Sequence, residues 1–245
     1  MNCGSKFSVE GGGRVLYSCN SIKRTFRGQE IDLVRDLNFS QGTALWEIYA
    51  AVRLSPMFAG TYTFMFPRED RGNGLLPGEL RVGSTAFAIG ERVAIKSNTT
   101  VHRWEGELYP VIGCNYRFGG LLLGELLVQH VRVETANVED SETFSEFLMG
   151  VGGVGEFAPA SNVFARVKAA YMFLQDQNGV YLDGEGKFFP DLNMGCGPGG
   201  GIASGARPYV GAGYRWRYSE WSKNDGNNKL TLSIHGPYAE VGVIF

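Results

Sequence analysis

The sequence predicts an all-β fold: a single antiparallel, up-and-down transmembrane β-barrel of eight to ten strands, ten preferred. Three observations predict it. Apolar and polar side chains alternate with a period of two in segment after segment, as half-buried strands require. Short and long connections alternate between those segments. The chain also finishes inside an alternating segment, on an aromatic residue, Phe245. Composition agrees, since 13% of the 245 residues are aromatic, 20% are charged and 35 are glycine, the balance of a β-rich chain with many turns. No run of 18 or more apolar residues is present, which excludes a transmembrane helix but not a barrel, whose strands carry a weaker signal. The net charge of −2, with no basic block, argues against nucleic acid as a partner.

Residues 1–21 read as a peripheral N-terminal segment and residues 22–245 as the barrel. Gly11-Gly12-Gly13 reads as linker. Residues 22–39 set Ile31, Leu33 and Leu37 against Glu30, Asp32 and Asp36, a weak strand. Residues 43–54 are clearer: Ala44, Trp46, Ile48, Ala50, Val52 and Leu54 share one face, and Thr43, Glu47, Tyr49 and Arg53 the other. A turn at Ser55-Pro56 leads to residues 57–66, with Phe58, Tyr62, Phe64 and Phe66 opposed by Ala59, Thr61 and Thr63.

Further along, Trp104, Leu108 and Ile112 oppose Arg103, Glu105, Glu107 and Tyr109. Residues 121–134 are mixed: Leu122, Leu126 and Val128 oppose Glu125 and Gln129, yet Leu121, Leu123 and Leu127 share the polar parity. Phe147, Met149, Val151 and Phe157 oppose Glu146 and Glu156. Val163, Val167, Tyr171 and Phe173 oppose Arg166 and Lys168. Val210, Ala212, Tyr214, Trp216 and Tyr218 oppose Arg215 and Arg217. The last segment places Leu230, Leu232 and Ile234 outward, then switches parity, so a β-bulge is expected at Gly236-Pro237. Residues 195–204, rich in glycine, are a further strand candidate. Short turns are expected at residues 55–56, 116–119, 159–162 and 204–205, and long loops at 67–100, 135–143, 175–194 and 222–228.

Alternation does not say which face is wet. The bulky face carries Trp or aromatic groups on nearly every strand, too many for a small lumen, while the opposite face mixes charges with Gly, Ala, Ser and Thr. Tyr and Trp also recur toward strand ends, where membrane interfaces hold them. The aromatic face is therefore assigned to lipid. Glu47, Glu105, Glu107, Glu125, Glu146, Glu156 and Glu240 then enter the lumen with Arg53, Arg103, Arg166, Lys168, Arg215 and Arg217. Signs nearly balance, and unpaired buried charge costs several kcal/mol, so these groups are expected to pair and close the lumen. A narrow water-filled channel is the alternative.

A terminal Phe closing an alternating strand resembles the last strand of bacterial outer-membrane barrels. With the alternation and loop asymmetry, residues 42–245 resemble small Gram-negative outer-membrane β-barrel proteins. The resemblance implies a bacterial outer-membrane location among outer-membrane lipids and lipopolysaccharide. It also implies Phe245 as the assembly signal read by the barrel-assembly machinery. Residues 1–5 lack the regions of a secretory signal, so an export signal is expected to have been removed.

Signals for chemistry are sparse. His102 and His130 read as interfacial and rim side chains. Ser233 and His235 share a face, and a Ser–His pair on a barrel wall is the catalytic candidate, but lipid hydrolases of this kind place His first. Cys3, Cys19, Cys114 and Cys196 lack CxxC spacing, so no metal or redox centre is expected and their pairing stays open. No cofactor is implied. Glu69, Asp70, Asp183, Glu185 and Asp191 read as solvated loop acids. The expected function is a structural or small-solute channel role without enzymatic activity. The alternatives are a lipid-modifying hydrolase, or an adhesion or partner-docking barrel using its long loops.

Overall fold

Strands that each have one apolar face bury nothing alone in a bilayer, and an open sheet would leave edge N–H and C=O groups in hydrocarbon. The chain meets both demands by closing on itself. The computed structural model describes residues 7–26, 29–39, 42–174, 177–190, 206–223 and 228–245. In chain order the elements are β1 (Ser8–Phe26), β2 (Gln29–Asp32), α1 (Leu33–Leu37), β3 (Gly42–Arg53), β4 (Phe58–Leu75), β5 (Leu80–Val82) and β6 (Thr85–Phe87). Then follow β7 (Arg92–Ile112), β8 (Tyr116–Glu134), β9 (Glu139–Ala160), β10 (Val163–Leu174), β11 (Gln177–Phe188), β12 (Arg207–Lys223) and β13 (Asn228–Ile244). Strands β1, β3, β4 and β7 to β13 pair antiparallel with their neighbours in sequence, and β1 pairs with β13 to seal a ten-stranded barrel.

Several expectations change. The segment assigned to the periphery supplies β1, which runs between β13 and β3 from Glu10↔Ile244 and Ser8↔Arg53 onward. Its glycines are wall, not linker: a Cβ on Gly12 would stand 2.6 Å from the Val241 carbonyl oxygen and 2.7 Å from Tyr49 Oη. The weak strand over residues 22–39 divides into the end of β1, the short β2 and the single-turn α1, which Asp32 caps by accepting from the Val34 and Arg35 amides. Residues 177–188, expected as loop, form β11. The glycine-rich candidate at 195–204 lies outside the described residues.

No register shift occurs at Gly236-Pro237. Pro237 has no N–H to donate, so pairing with β1 lapses at that point, yet no residue is inserted and parity continues. Leu232 and Ile234 consequently pack inward, and Ser233 and His235 face outward. Bulges do occur in β4 between Met65 and Arg68, where Pro67 needs no ladder donor, and in β7 between Leu108 and Val111.

The outer face is the apolar one. Trp46, Ile48, Phe58, Trp104, Leu122, Phe147, Val167, Tyr171 and Trp216 are all exposed on it. Strand heights are unequal. β10 and β11 have 12 residues each, close to the 9–11 that a tilted strand needs to cross hydrocarbon. β7, β8 and β9 have 21, 19 and 22, so they rise well clear of the bilayer. The predicted alternation of loop lengths holds only in part. Connections at 54–57, 113–115 and 161–162 are short on the terminus-bearing side, but the long link from Phe188 to Arg207 leaves and re-enters the barrel there too, and 135–138 on the far side is tight.

Candidate functional site

The lumen and its cap hold the polar side chains that could carry a function. At the far end, β2, α1 and the β5–β6 hairpin bring Ile31, Leu37, Leu80, Val82 and Phe87 onto inward residues of β7 and β8, Val93, Ile95 and Val133. This is a small hydrophobic core inside the raised part of the wall. The hairpin turns at Gly83, whose φ of +58° suits glycine. It is tied to β9 where Asp140 accepts from the Ser84 and Thr85 amides at 3.2 and 3.1 Å. Hydrogen bonds, first from the Thr85 side chain and next from the Ser141 amide, hold the Asp140 carboxyl below its ordinary range. Asp70, expected in a loop, lies on β4 as a buried partner of Arg68, while Glu69 faces outward to Arg71.

Below the cap, Leu16, Leu45, Met65, Val101, Leu127 and Tyr238 form an apolar layer across the lumen, joined by Leu232 and Ile234. Beneath it the charges begin. Arg215 reaches Glu47 at 2.5 Å and Asp183 at 2.9 Å, and Arg103 meets Glu125 at 2.7 Å, where Arg217 also docks. Arg14 lies between Glu185 at 2.8 Å and Glu240 at 2.6 Å. Toward the terminus-bearing side, Arg166 contacts Glu185 and Glu107, Lys168 contacts Glu105 and Glu107, and Arg53 meets Glu156 at 2.7 Å. Tyrosines stitch these together: Tyr238 and Tyr181 donate to Asp183 at 2.7 and 2.8 Å, and Tyr109 Oη lies 2.6 Å from Glu107.

The structure thus brings together Glu47, Arg53, Arg103, Glu105, Glu107, Glu125, Glu156, Arg166, Lys168, Arg215, Arg217 and Glu240 in one lumen. Glu146 faces the same interior but makes no ion pair among the described contacts. The β12 arginines meet Glu47, Asp183 and Glu125. The sequence reading missed Glu10, Arg14, Asp183, Glu185 and Lys187. Asp183 and Glu185 are the hub of the network, not solvated loop acids. Their signal was present, because Tyr181, Asp183, Glu185 and Lys187 alternate strictly with Val180, Leu182 and Phe188. Gly184 and Gly186 on the lipid face diluted it.

Outside the lumen, His102 sits in an aromatic cluster, its Nδ1 2.8 Å from Tyr62 Oη and its ring stacked 6.2 Å from Trp104. His130 Nδ1 lies 3.0 Å from Thr143 Oγ1 on the exposed upper wall. His235 Nδ1 is held 2.9 Å from Tyr214 Oη, and Ser233 does not bond to it. Phe245 closes the ladder with its amide on the Val9 carbonyl at 2.8 Å, its ring exposed. Cys19 and Cys114 are free, and no metal-ligand cluster occurs among the described residues.

Neither a family model nor a curated protein matches the sequence. Solved structures do match. The outer membrane protease OmpT from Escherichia coli superposes with a TM-score of 0.52 over 97% of this chain and 96% of that one, at 8% identity. The fold is that of a bacterial outer-membrane β-barrel. Ail, the attachment invasion locus protein of Yersinia pestis, gives a TM-score of 0.39 at 10% identity over 94% of this chain and 97% of that one. OprG from Pseudomonas aeruginosa gives 0.28 at 11% over 98% and 95%. At these identities the barrel shares architecture with OmpT, and nothing about its chemistry follows.

Proposed function

We propose that this barrel is a non-conducting outer-membrane scaffold that holds its cap rigidly above the bilayer. The observation that carries this reading is the stacking of barriers in the lumen: charge network, apolar layer, cap core. Between the first two, the cavity bounded by Glu47, Arg103, Arg215 and Arg217 measures about 20 Å³, space for roughly one water. A conducting pore needs a continuous aqueous path, and space for about one water is not one. Planar-bilayer recording on the refolded protein tests it. The expected trace shows no stable open current; a large, steady conductance would overturn the reading.

A lipid hydrolase using Ser233 and His235 has weaker support, since His235 is engaged by Tyr214 and no positioned acid accompanies it among the described residues. Incubation with labelled phospholipid or lipopolysaccharide decides between them. Turnover lost in His235→Ala would replace the scaffold by an enzyme.

A further inference from the structure

The wall is not equally tall all round. β10 and β11 stop after 12 residues, whereas β9 continues past them, clear of the hydrocarbon. Its pairing with β10 ends at Met149↔Phe173, so residues 139–148, ten of its 22, pair only with β8 among the described residues. Above the bilayer β9 and β12 are therefore separated by the width of two missing strands. The Ala158 amide donates to the Asn115 carbonyl at the end of β8, and the β8–β9 register then runs without a shift. Backbone direction alternates along a strand, so even-numbered residues bond to β8 and the N–H groups of Thr143, Ser145 and Phe147 point into the gap. The Ser141 amide, on the same edge, is taken by the Asp140 carboxylate. Long edges are usually blunted by Lys, Pro or a bulge, and residues 139–148 carry none of these. Four acids stand there instead. Glu139 meets Arg132, and Glu142 accepts from the Gly83 amide and lies near Arg24. Asp140 and Glu146 have no ion pair among the described residues, since Arg217, the cation nearest Glu146, is docked on Glu125. Glu146 Oε2 is buried without a hydrogen-bond partner, and burial holds its carboxyl up at about 7.

We propose that this free edge of β9 binds an extended, basic segment of another protein, which adds to the wall as a further strand on the side away from the chain termini. A second copy of this chain would set acid opposite acid, which like-charge repulsion disfavours, so the partner is a different chain. Its backbone meets the free N–H groups of Thr143, Ser145 and Phe147, and its side chains alternate between the outer surface and the lumen. On the lumen side they face Glu142, Phe144 and Glu146, all half-buried. The partner accordingly carries a cation, an apolar group and a cation at alternate positions. Docking here does not depend on whether the lumen conducts, so loss of either claim leaves the other standing.

Fluorescence titration of the full chain, refolded in detergent at pH 8 and constant ionic strength, tests this with a labelled, end-blocked peptide built around Lys-Thr-Leu-Thr-Lys. A control peptide of the same composition has its lysines adjacent. Saturable binding of the alternating peptide is expected, with slowed amide exchange at Thr143, Ser145 and Phe147. Ser145→Pro removes one edge N–H and leaves the β8 ladder intact, so it should keep the heat-modifiable gel shift of a folded barrel and weaken binding roughly fivefold. Glu146→Gln should weaken binding about threefold. Absence of saturable binding overturns the proposal, as does equal binding of the control peptide or binding that Ser145→Pro leaves unchanged. Where Ser145→Pro does not refold, unchanged binding in Glu146→Gln overturns it instead.

Discussion

Arg215, Trp216 and Arg217 are consecutive, yet they occupy two solvents: the arginines are 3% and 2% exposed in the lumen, and the tryptophan faces lipid. Two arginines on the lipid face would each cost about 2–4 kcal/mol at mid-bilayer, so the parity of the whole strand follows from them. Their inward direction was legible in the sequence. Their partners were not, because register is fixed by neighbouring strands and one of the three acids involved, Asp183, read as a solvated loop acid. Removing Arg215 strands Glu47 and Asp183 together in the interior. Arg215→Leu should therefore destabilise the barrel by about 3–5 kcal/mol, read as a lower urea midpoint for refolding into vesicles. An unchanged midpoint would mean that the pairs are solvated. Backbone packing makes a second demand, since a Cβ at Gly236 would collide with the Tyr17 carbonyl oxygen where β13 crosses β1. Gly236→Val should abolish the heat-modifiable gel shift of the folded barrel, and a normal shift would contradict the close approach.

At the scale of elements, β3, β4, β7, β8, β9, β10, β12 and β13 were readable from apolar parity because their lipid faces carry bulky groups. β1 and β11 were not, because glycines stand on their lipid faces at residues 11, 13, 184 and 186. The hydrophobic signal fails where a strand presents backbone to lipid, and only the charged parity remains. The Leu232 and Ile234 assignment failed for the opposite reason: these apolar side chains face a dry lumen layer, which alternation does not distinguish from lipid. The cap was hidden because its core joins residues far apart, Ile31 and Leu37 with Phe87 and Val133.

Two outcomes belong to the cap. Its core is separate from the membrane belt, so deleting residues 78–90 with a short glycine bridge should leave the heat-modifiable barrel intact while exposing α1 to protease. Loss of barrel folding would show the cap to be part of the folding unit. Docking of the hairpin should also depend on pH. The Asp140 carboxyl is held below its ordinary range, so its contribution is present above the unfolded pKa and is lost as pH falls through the folded one. The protection of the Ser84 and Thr85 amides, corrected for the intrinsic pH dependence of exchange, should fall on acidification below the usual carboxylate range, and Asp140→Asn should flatten that response. An identical profile in the variant would assign the effect elsewhere.

At the scale of the molecule, the barrel is inverted relative to a soluble protein, with aromatic groups outside and charges inside, and the interior is filled. Ten strands leave little more room than their own side chains occupy, and on the reading proposed above the long Arg and Glu side chains close the lumen by pairing. Inversion and closure together are tested by nitroxide labels placed singly at positions 209–217 of β12, with the native cysteines replaced by serine. The expected result is a period of two: positions 210, 212, 214 and 216 relax with oxygen dissolved in the bilayer, and 209, 211, 213, 215 and 217 respond neither to oxygen nor to a water-soluble nickel reagent. If the odd positions respond to nickel, the lumen is an aqueous channel; if they respond to oxygen, the barrel is assigned inside out.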